Sequence, residues 1–200
     1  IDANQSLTRD DRLSARVIAT AATADKNFGG YRGNEDYLFA PSIRYKNGTS
    51  DIIVSATLGN QLFGVVPFTI INTVTKEPYD VPTDRPLIGG KDQGVQIETT
   101  QFNAEITQKV TNWLTVVARG QHQKIDFSLR QFSPIAVLNN NGLLLVSSSG
   151  TRQTSESDVV DAFGRIDFDT GPVSHKVVAG MTVVDSKVRA IFAADGGLFP

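Results

Sequence analysis

The chain has no cysteine, one methionine, one tryptophan and two histidines among its 200 residues. Without thiols there is no disulfide framework and no thiolate metal site. His122 and His175 have neither a metal-ligand spacing nor a neighbouring nucleophile, so the sequence offers no catalytic centre and no metal site. Gly29-Gly30 and Gly89-Gly90 lack the following helix that a phosphate-cradling loop needs, and no cofactor motif is present. Basic residues are too few and too scattered for nucleic acid, with a formal charge of −2 and a pI near 5.7. Ile1–Asp11 is mostly polar and does not read as a signal peptide. No run of about 18 apolar residues exists, so no helix of this chain spans a bilayer. A barrel strand needs only about 9–11 residues of alternating character, so a mean hydropathy of −0.13 leaves a membrane barrel open.

What is present is strand periodicity. From Asp161 to Val184 two runs flank an Asp169-Thr170-Gly171-Pro172 turn. Ala162, Gly164, Ile166 and Phe168 share one face of the first run, and Val177, Ala179, Met181 and Val183 form the apolar face of the second. Pairing Phe168 with Val177 keeps those faces together. Arg12–Ala22, Tyr37–Tyr45, Asp51–Asn60, Val95–Gln108 and Trp113–Gln121 alternate in the same way. The faces predict pairing of Tyr45 with Ile52 and of Ile106 with Leu114. Pro41 cannot donate to a ladder and predicts a break or bulge. Gly142–Val146 could be a short strand, and Asp185–Pro200 reads as a tail.

The connections carry the second signal. Lys46–Ser50, Val110–Asn112 and Asp169–Ser174 are short, whereas Thr23–Asp36, Gln61–Gly94 and His122–Asp158 are long, and the two kinds alternate. Short turns on one rim and long loops on the other are expected of an outer-membrane barrel. A soluble sandwich requires no such switching.

Phe168-Asp169-Thr170-Gly171 with His175 and Ala179-Gly180, Leu38-Phe39-Ala40-Pro41-Ser42-Ile43-Arg44-Tyr45, Phe102 through Trp113-Leu114-Thr115-Val116 to Arg119, and Phe63-Gly64-Val65-Val66-Pro67 together resemble TonB-dependent siderophore receptors of the ferrichrome-receptor type. The resemblance implies an all-β, antiparallel up-and-down meander. It would be a fragment of a barrel of roughly 22 strands, supplying about seven strands from just after a plug domain. It also implies residence in the bacterial outer membrane, outer-membrane lipid and a ferric siderophore as partners, and energy from the TonB complex through the plug.

In that frame the apolar faces meet lipid, while Arg16, Arg44, Asn103, Glu105, Arg119 and Arg165 line the lumen. Tyr45 and Phe168 would sit at the periplasmic interface and Tyr37 at the outer one, whereas the parity of Trp113 points it to the lumen unless the turn resets the register. Tyr31, Arg32, Phe63, Phe68 and Tyr79 on the first two long loops, with Arg130 and Phe132 on the third, are the expected ligand contacts, since rings and guanidinium groups suit a bulky, often anionic chelate. Glu156, Asp158 and Asp161 read as a solvated loop end. Two other readings stay open: a soluble or surface-displayed β-sheet binding module, and a passive porin-like channel. They are separated by which face of the strands is wet.

Overall fold

A computed structural model of the chain describes residues 1–65, 68–72, 75–137 and 144–199, with side chains to Ala194. Eight strands form one antiparallel sheet in sequential order. They are β1 (Asp2–Ser6), β2 (Leu13–Thr23), β3 (Glu35–Lys46), β4 (Ser50–Gly64), β5 (Gly94–Lys109), β6 (Leu114–Val137), β7 (Leu144–Thr170) and β8 (Val173–Phe199). The fold class is therefore the expected all-β meander, with eight strands rather than seven. The added one, Asp-Ala-Asn-Gln-Ser, has too little apolar character to alternate and is held by backbone pairing with Ser14–Ile18.

Two expected irregular segments are strand. The stretch from His122 is the upper half of β6 and, beyond the connection, of β7, and the expected tail continues β8 to Phe199. Of the expected third long loop, residues 138–143 lie outside the described residues, as do Val66, Pro67, Thr73, Val74 and Pro200.

Tyr45 pairs with Ile52 as predicted. Ile106 pairs with Ala118 instead of Leu114, and Phe168 with His175 instead of Val177. Both shifts are even, four and two residues, so every side chain keeps its face. The β7–β8 shift follows from a tighter turn. Gly171 has φ of 63° and Pro172 a ring-fixed negative φ, so two residues close the hairpin as a type II′ turn. At Pro41 the β3–β4 ladder skips Ala40 and Pro41 without changing register, while the register shift in β6 lies between Pro134 and Ala136.

No second layer covers the sheet among the described residues. Its apolar face carries Val54 at 55% exposure, Phe39 at 46% and Ile106 at 45%, and Leu13, Val17, Ile52 and Ile166 are half-buried. This apolar surface forms an oblique band. On β3 it runs from Tyr37 to Tyr45, about 27 Å along the strand. The row through Tyr37 passes Asn60, Glu98 and Asp126 to Thr154 on β7, and the row through Tyr45 passes Ile52, Ile106 and Ala118 to Ala162. On β7, however, the band runs from Val160 to Phe168, so both margins have dropped six residues across four strands. Six residues are about 20 Å along a strand and four strand spacings about 19 Å across, so a level band requires strands tilted by about 45°. That matches the tilt of transmembrane barrel strands. At this inclination the band stands about 20 Å tall, near the apolar height of an outer-membrane wall. Tyr37, Tyr45 and Phe168 lie on its margins as expected, with Phe168 stacked on His175 at 4.9 Å. Trp113 falls in the β5–β6 turn, outside the ladder, and its carbonyl accepts the Asp167 N–H at 2.9 Å.

Among the described residues six of the seven buried apolar ones, Tyr31, Leu62, Val65, Ile88, Leu144 and Val146, gather at the long-loop end. There the β2–β3 loop docks on the β4–β5 connection. Gly29 N–H donates to the Thr83 carbonyl at 2.8 Å, Asn27 Nδ2 to the Val65 carbonyl at 2.6 Å, and Gly64 N–H to Asn34 Oδ1 at 3.0 Å. Gly30 enables this approach, with φ of 72° and the Asp84–Arg85 backbone where a Cβ would stand. Gly30→Ala is expected to undock the two loops, and faster limited proteolysis within 24–34 and 75–93, with band residues unaffected, is the measurement that checks it.

Candidate functional site

Beneath the rim, the face opposite the band is a lattice of polar side chains. Arg16, Arg44, Asn103, Glu105, Arg119 and Arg165 all project to it, as the pairing registers require. Arg16 pairs with Asp2 at 2.6 Å, and Arg44 grips Asp51 through both carboxylate oxygens. Asn103 Nδ2 donates to Ser55 Oγ at 3.4 Å and Arg119 Nε to Glu105 at 2.9 Å. Arg119 also lies 3.9 Å from Asp161, to which the Thr182 hydroxyl donates at 2.8 Å, and its guanidinium sits 5.4 Å above the Phe163 ring. Such exposed pairs add little stability each. Their importance is positional, since most strand junctions on this face are bridged by polar side chains, whereas among the described residues the bridges on the band's side lie at or beyond its margins, as at Ser50 and Gln108.

Above the band the polarity of the two faces exchanges. On the band's side the rows become charged: Glu98, Asp126 and Arg189 lie in one, Lys124, Glu156 and Lys187 in the next. Lys124 meets Asp126 at 2.9 Å, and the Thr154 hydroxyl, then that ammonium, hold the Asp126 carboxyl below its ordinary range. On the opposite face the top row reads Phe63, Val95, Leu129, Thr151, Phe192. The row below it reads Gln61, Ile97, Phe127, Gln153, Ala190, and the third Gly59, Thr99, Ile125, Ser155, Val188. These three rows contain no charged residue.

The expected ligand contacts divide into groups. Phe63 stands at the corner of the uncharged wall, 45% exposed. Tyr31 is 2% exposed and its hydroxyl both donates to the Ile88 carbonyl and accepts the Ile88 N–H, so the ring anchors one loop to another. Phe68 and Phe132 pack together on Ile88, Leu144 and Val146. Arg32, bound to Glu35 at 2.7 Å, and Arg130 meet with Arg152 in a cleft of about 400 Å³ on the charged face. Tyr79 belongs to neither group, and its N–H closes a local turn on the Ile70 carbonyl. Arg130 and Phe132 are strand residues and not loop residues, which fixes their side. Glu156 and Asp158 lie on one face of β7 and Asp161 on the other, so the expected acidic loop end is three mid-strand positions. His122 Nδ1 contacts Asp158 at 2.7 Å, and His175 Nε2 contacts the Thr170 hydroxyl at 2.6 Å. Among the described residues no group of three or more His, Asp or Glu could hold a metal ion.

The wall residues Ile97, Phe127, Ile125 and Phe192 had a sequence signal. The apolar positions of β5, β6 and β8 change parity part way along each strand, from odd to even in β5 and β8 and from even to odd in β6.

No protein-family model matches the sequence, and no curated protein does. Solved structures do. The ferric preacinetobactin receptor BauA of Acinetobacter baumannii superimposes with a TM-score of 0.74 at 14% identity, over 99% of this chain and 30% of the receptor. FpvAI, solved in complex with pyocin S2, superimposes with a TM-score of 0.74 at 13% identity, over 93% of this chain and 24% of its own. The chain thus spans under a third of either structure, and at these identities the likeness is one of fold: an eight-stranded antiparallel meander with the geometry of a receptor barrel wall.

Proposed function

We propose that this chain is a section of the barrel of a bacterial outer-membrane receptor that imports ferric siderophores with energy delivered through TonB. The observation that carries the reading is the oblique apolar band, level only if the strands tilt by about 45°, backed by a polar lattice on the reverse face. A soluble binding module would place that apolar face in a closed core, and among the described residues nothing covers it. In the working barrel the band meets lipid, Arg16, Arg44, Asn103, Glu105, Arg119 and Arg165 line a hydrated lumen, and the docked loops form part of the extracellular rim. Plug, remaining strands and TonB contact belong to this proposal. The fold likeness to a ferric siderophore receptor supports the cargo class.

Deleting the gene is expected to abolish uptake of radioactive iron from its cognate siderophore complex in iron-starved cells, and collapsing the inner-membrane proton gradient is expected to stop uptake in the parent strain. Uptake that survives the collapse and rises linearly with concentration would establish the passive channel instead.

A further inference from the structure

We propose that Asn47 is a site of spontaneous covalent modification, at which the β3–β4 turn converts the side-chain amide through a cyclic imide to aspartate and isoaspartate. This chemistry is independent of the cargo and of the lumen.

The sequence supplies the nucleophile. Asn47 is followed by Gly48, and a glycine nitrogen is the backbone amide least hindered from reaching the side-chain carbon of the residue before it. Nothing lies within 4 Å of where a Gly48 Cβ would stand, and the Gly48 N–H has no partner among the described residues. The turn supplies the rest. Asn47 Oδ1 accepts the Thr49 N–H at 2.8 Å, the Ser50 N–H at 2.7 Å and the Thr49 hydroxyl at 3.2 Å. The two N–H donors fix this atom as the amide oxygen, polarise the carbonyl and hold the negative charge that develops on it under attack. They are themselves held in place, because the Asn47 N–H donates to the Ser50 carbonyl at 2.8 Å and the Lys109 N–H of β5 to the Thr49 carbonyl at 2.7 Å. Asn47 Nδ2 points to the Tyr45 hydroxyl and donates to it at 3.0 Å. Nucleophile, oxyanion donors and a proton source beside the leaving nitrogen therefore meet in one turn.

The step balances with water as the sole co-reactant. Water or hydroxide takes the Gly48 amide proton as the Gly48 nitrogen bonds to Asn47 Cγ. The oxyanion then collapses and the Cγ–Nδ2 bond breaks. As Nδ2 becomes an amine it turns from donor to acceptor, takes the proton of the Tyr45 hydroxyl and leaves as ammonia, and water restores the hydroxyl. A second water opens the five-membered imide at either carbonyl. Opening at the side-chain carbonyl gives aspartate, whose carboxylate keeps both N–H donors and adds a charge. Opening at the main-chain carbonyl gives isoaspartate, which inserts a methylene into the backbone of a tight hairpin at the band margin.

The test incubates the intact protein, folded in outer membranes, in mildly alkaline buffer made with heavy-oxygen water. Mass spectrometry reads heavy-oxygen uptake in the peptide carrying Asn47, and isoaspartate methyltransferase labelling reads the isomer. Conversion is expected to be faster in the folded protein than in the same protein unfolded in urea. Tyr45→Phe keeps the ring and should slow the folded-state conversion about tenfold or more, the scale of losing a general acid, with the unfolded rate unchanged. Gly48→Ala fits the open space at that position and should slow conversion in both states. Asn141-Gly142, the other Asn-Gly pair of the sequence, should not respond to Tyr45→Phe. Heat-modifiable migration unchanged in both variants is the control for folding. Faster conversion after unfolding would mean that the turn shields the amide, which overturns the site. A folded-state rate untouched by Tyr45→Phe would overturn the assigned proton donor.

Discussion

Val54→Arg is expected to destabilise the barrel by about 2–4 kcal/mol, the cost of a cation on the lipid face near the bilayer midplane, whereas Thr57→Arg on the same strand should be near neutral. Val54 lies mid-band and 55% exposed, with Ile43 beside it on β3 and Ala104 on β5. No anion lies within that stretch of the band, so the guanidinium would have to reach a band margin or draw water into the hydrocarbon. Thr57 has the opposite parity. Its neighbour across the ladder is Gln101, within a hydrated lattice that already holds Arg44, Asn103 and Arg119. Folding efficiency of the intact protein into detergent or lipid, read by heat-modifiable migration across a urea series, measures both. Equal penalties at the two positions would contradict the assignment of faces, and a penalty at Thr57 alone would reverse it.

The same alternation explains what was legible in the sequence. Inside the band each strand has an apolar outward face and a polar inward one, so Leu13–Ala21, Tyr37–Tyr45 and Ile52–Leu58 declare both strand and side. Parity alone puts all six lumen candidates on the face opposite the band, and the errors of four and two residues in register did no harm because they were even. Above the band the outside becomes water and the rule inverts. On β6 the outward residues change from Leu114, Val116 and Ala118 to His122, Lys124 and Asp126, while Ile125, Phe127 and Leu129 appear on the inward parity. A reading that expects one phase along a strand meets this inversion as an end of alternation, which is why the upper halves of β6, β7 and β8 looked like a loop and a tail. The ligand candidates followed that error. Arg130, expected on a loop, is fixed on the charged face, while Phe127, two strand positions before Leu129, belongs to the opposite one. Tyr31 illustrates a different limit: an aromatic in a Gly-rich loop is a plausible ligand contact until tertiary packing shows its hydroxyl spent on Ile88.

The loop rim depends on one buried amide, and this gives the second large effect. Gln93, 2% exposed, is the one buried polar residue among those described. Its Nε2 donates to the Ile88 carbonyl at 2.6 Å and to the Gly90 carbonyl at 3.0 Å, and its Oε1 accepts the Phe132 N–H at 2.8 Å. Because β5–β6 pairing ends at Gly94 and Arg130, the side chain takes the place of one more residue of β5. It ties the β4–β5 connection to the β6–β7 hairpin. Gln93→Leu fills the volume but withdraws the acceptor from Phe132 N–H and a donor from Ile88, and leaving buried backbone groups so is expected to cost about 1–3 kcal/mol per group. Gln93→Glu keeps the acceptor and turns a carboxylate towards two carbonyl oxygens, in a buried site with no cation in the bonding set. It should be the worse variant at neutral pH, since burial penalises the charged form and raises the folded-state pKa of the introduced acid. The sign follows directly: the protonated acid can still donate to Ile88, so stability is retained below the unfolded value of about 4.3 and lost as pH rises past it. Hydrogen exchange over 75–93, corrected for intrinsic rate, should therefore show lost protection in Gln93→Leu at every pH. In Gln93→Glu the loss should grow from acidic to neutral pH, with band amides unchanged in both. Wild-type protection in Gln93→Leu would mean that Tyr31 and the Ile88, Val146 packing hold the rim without the amide.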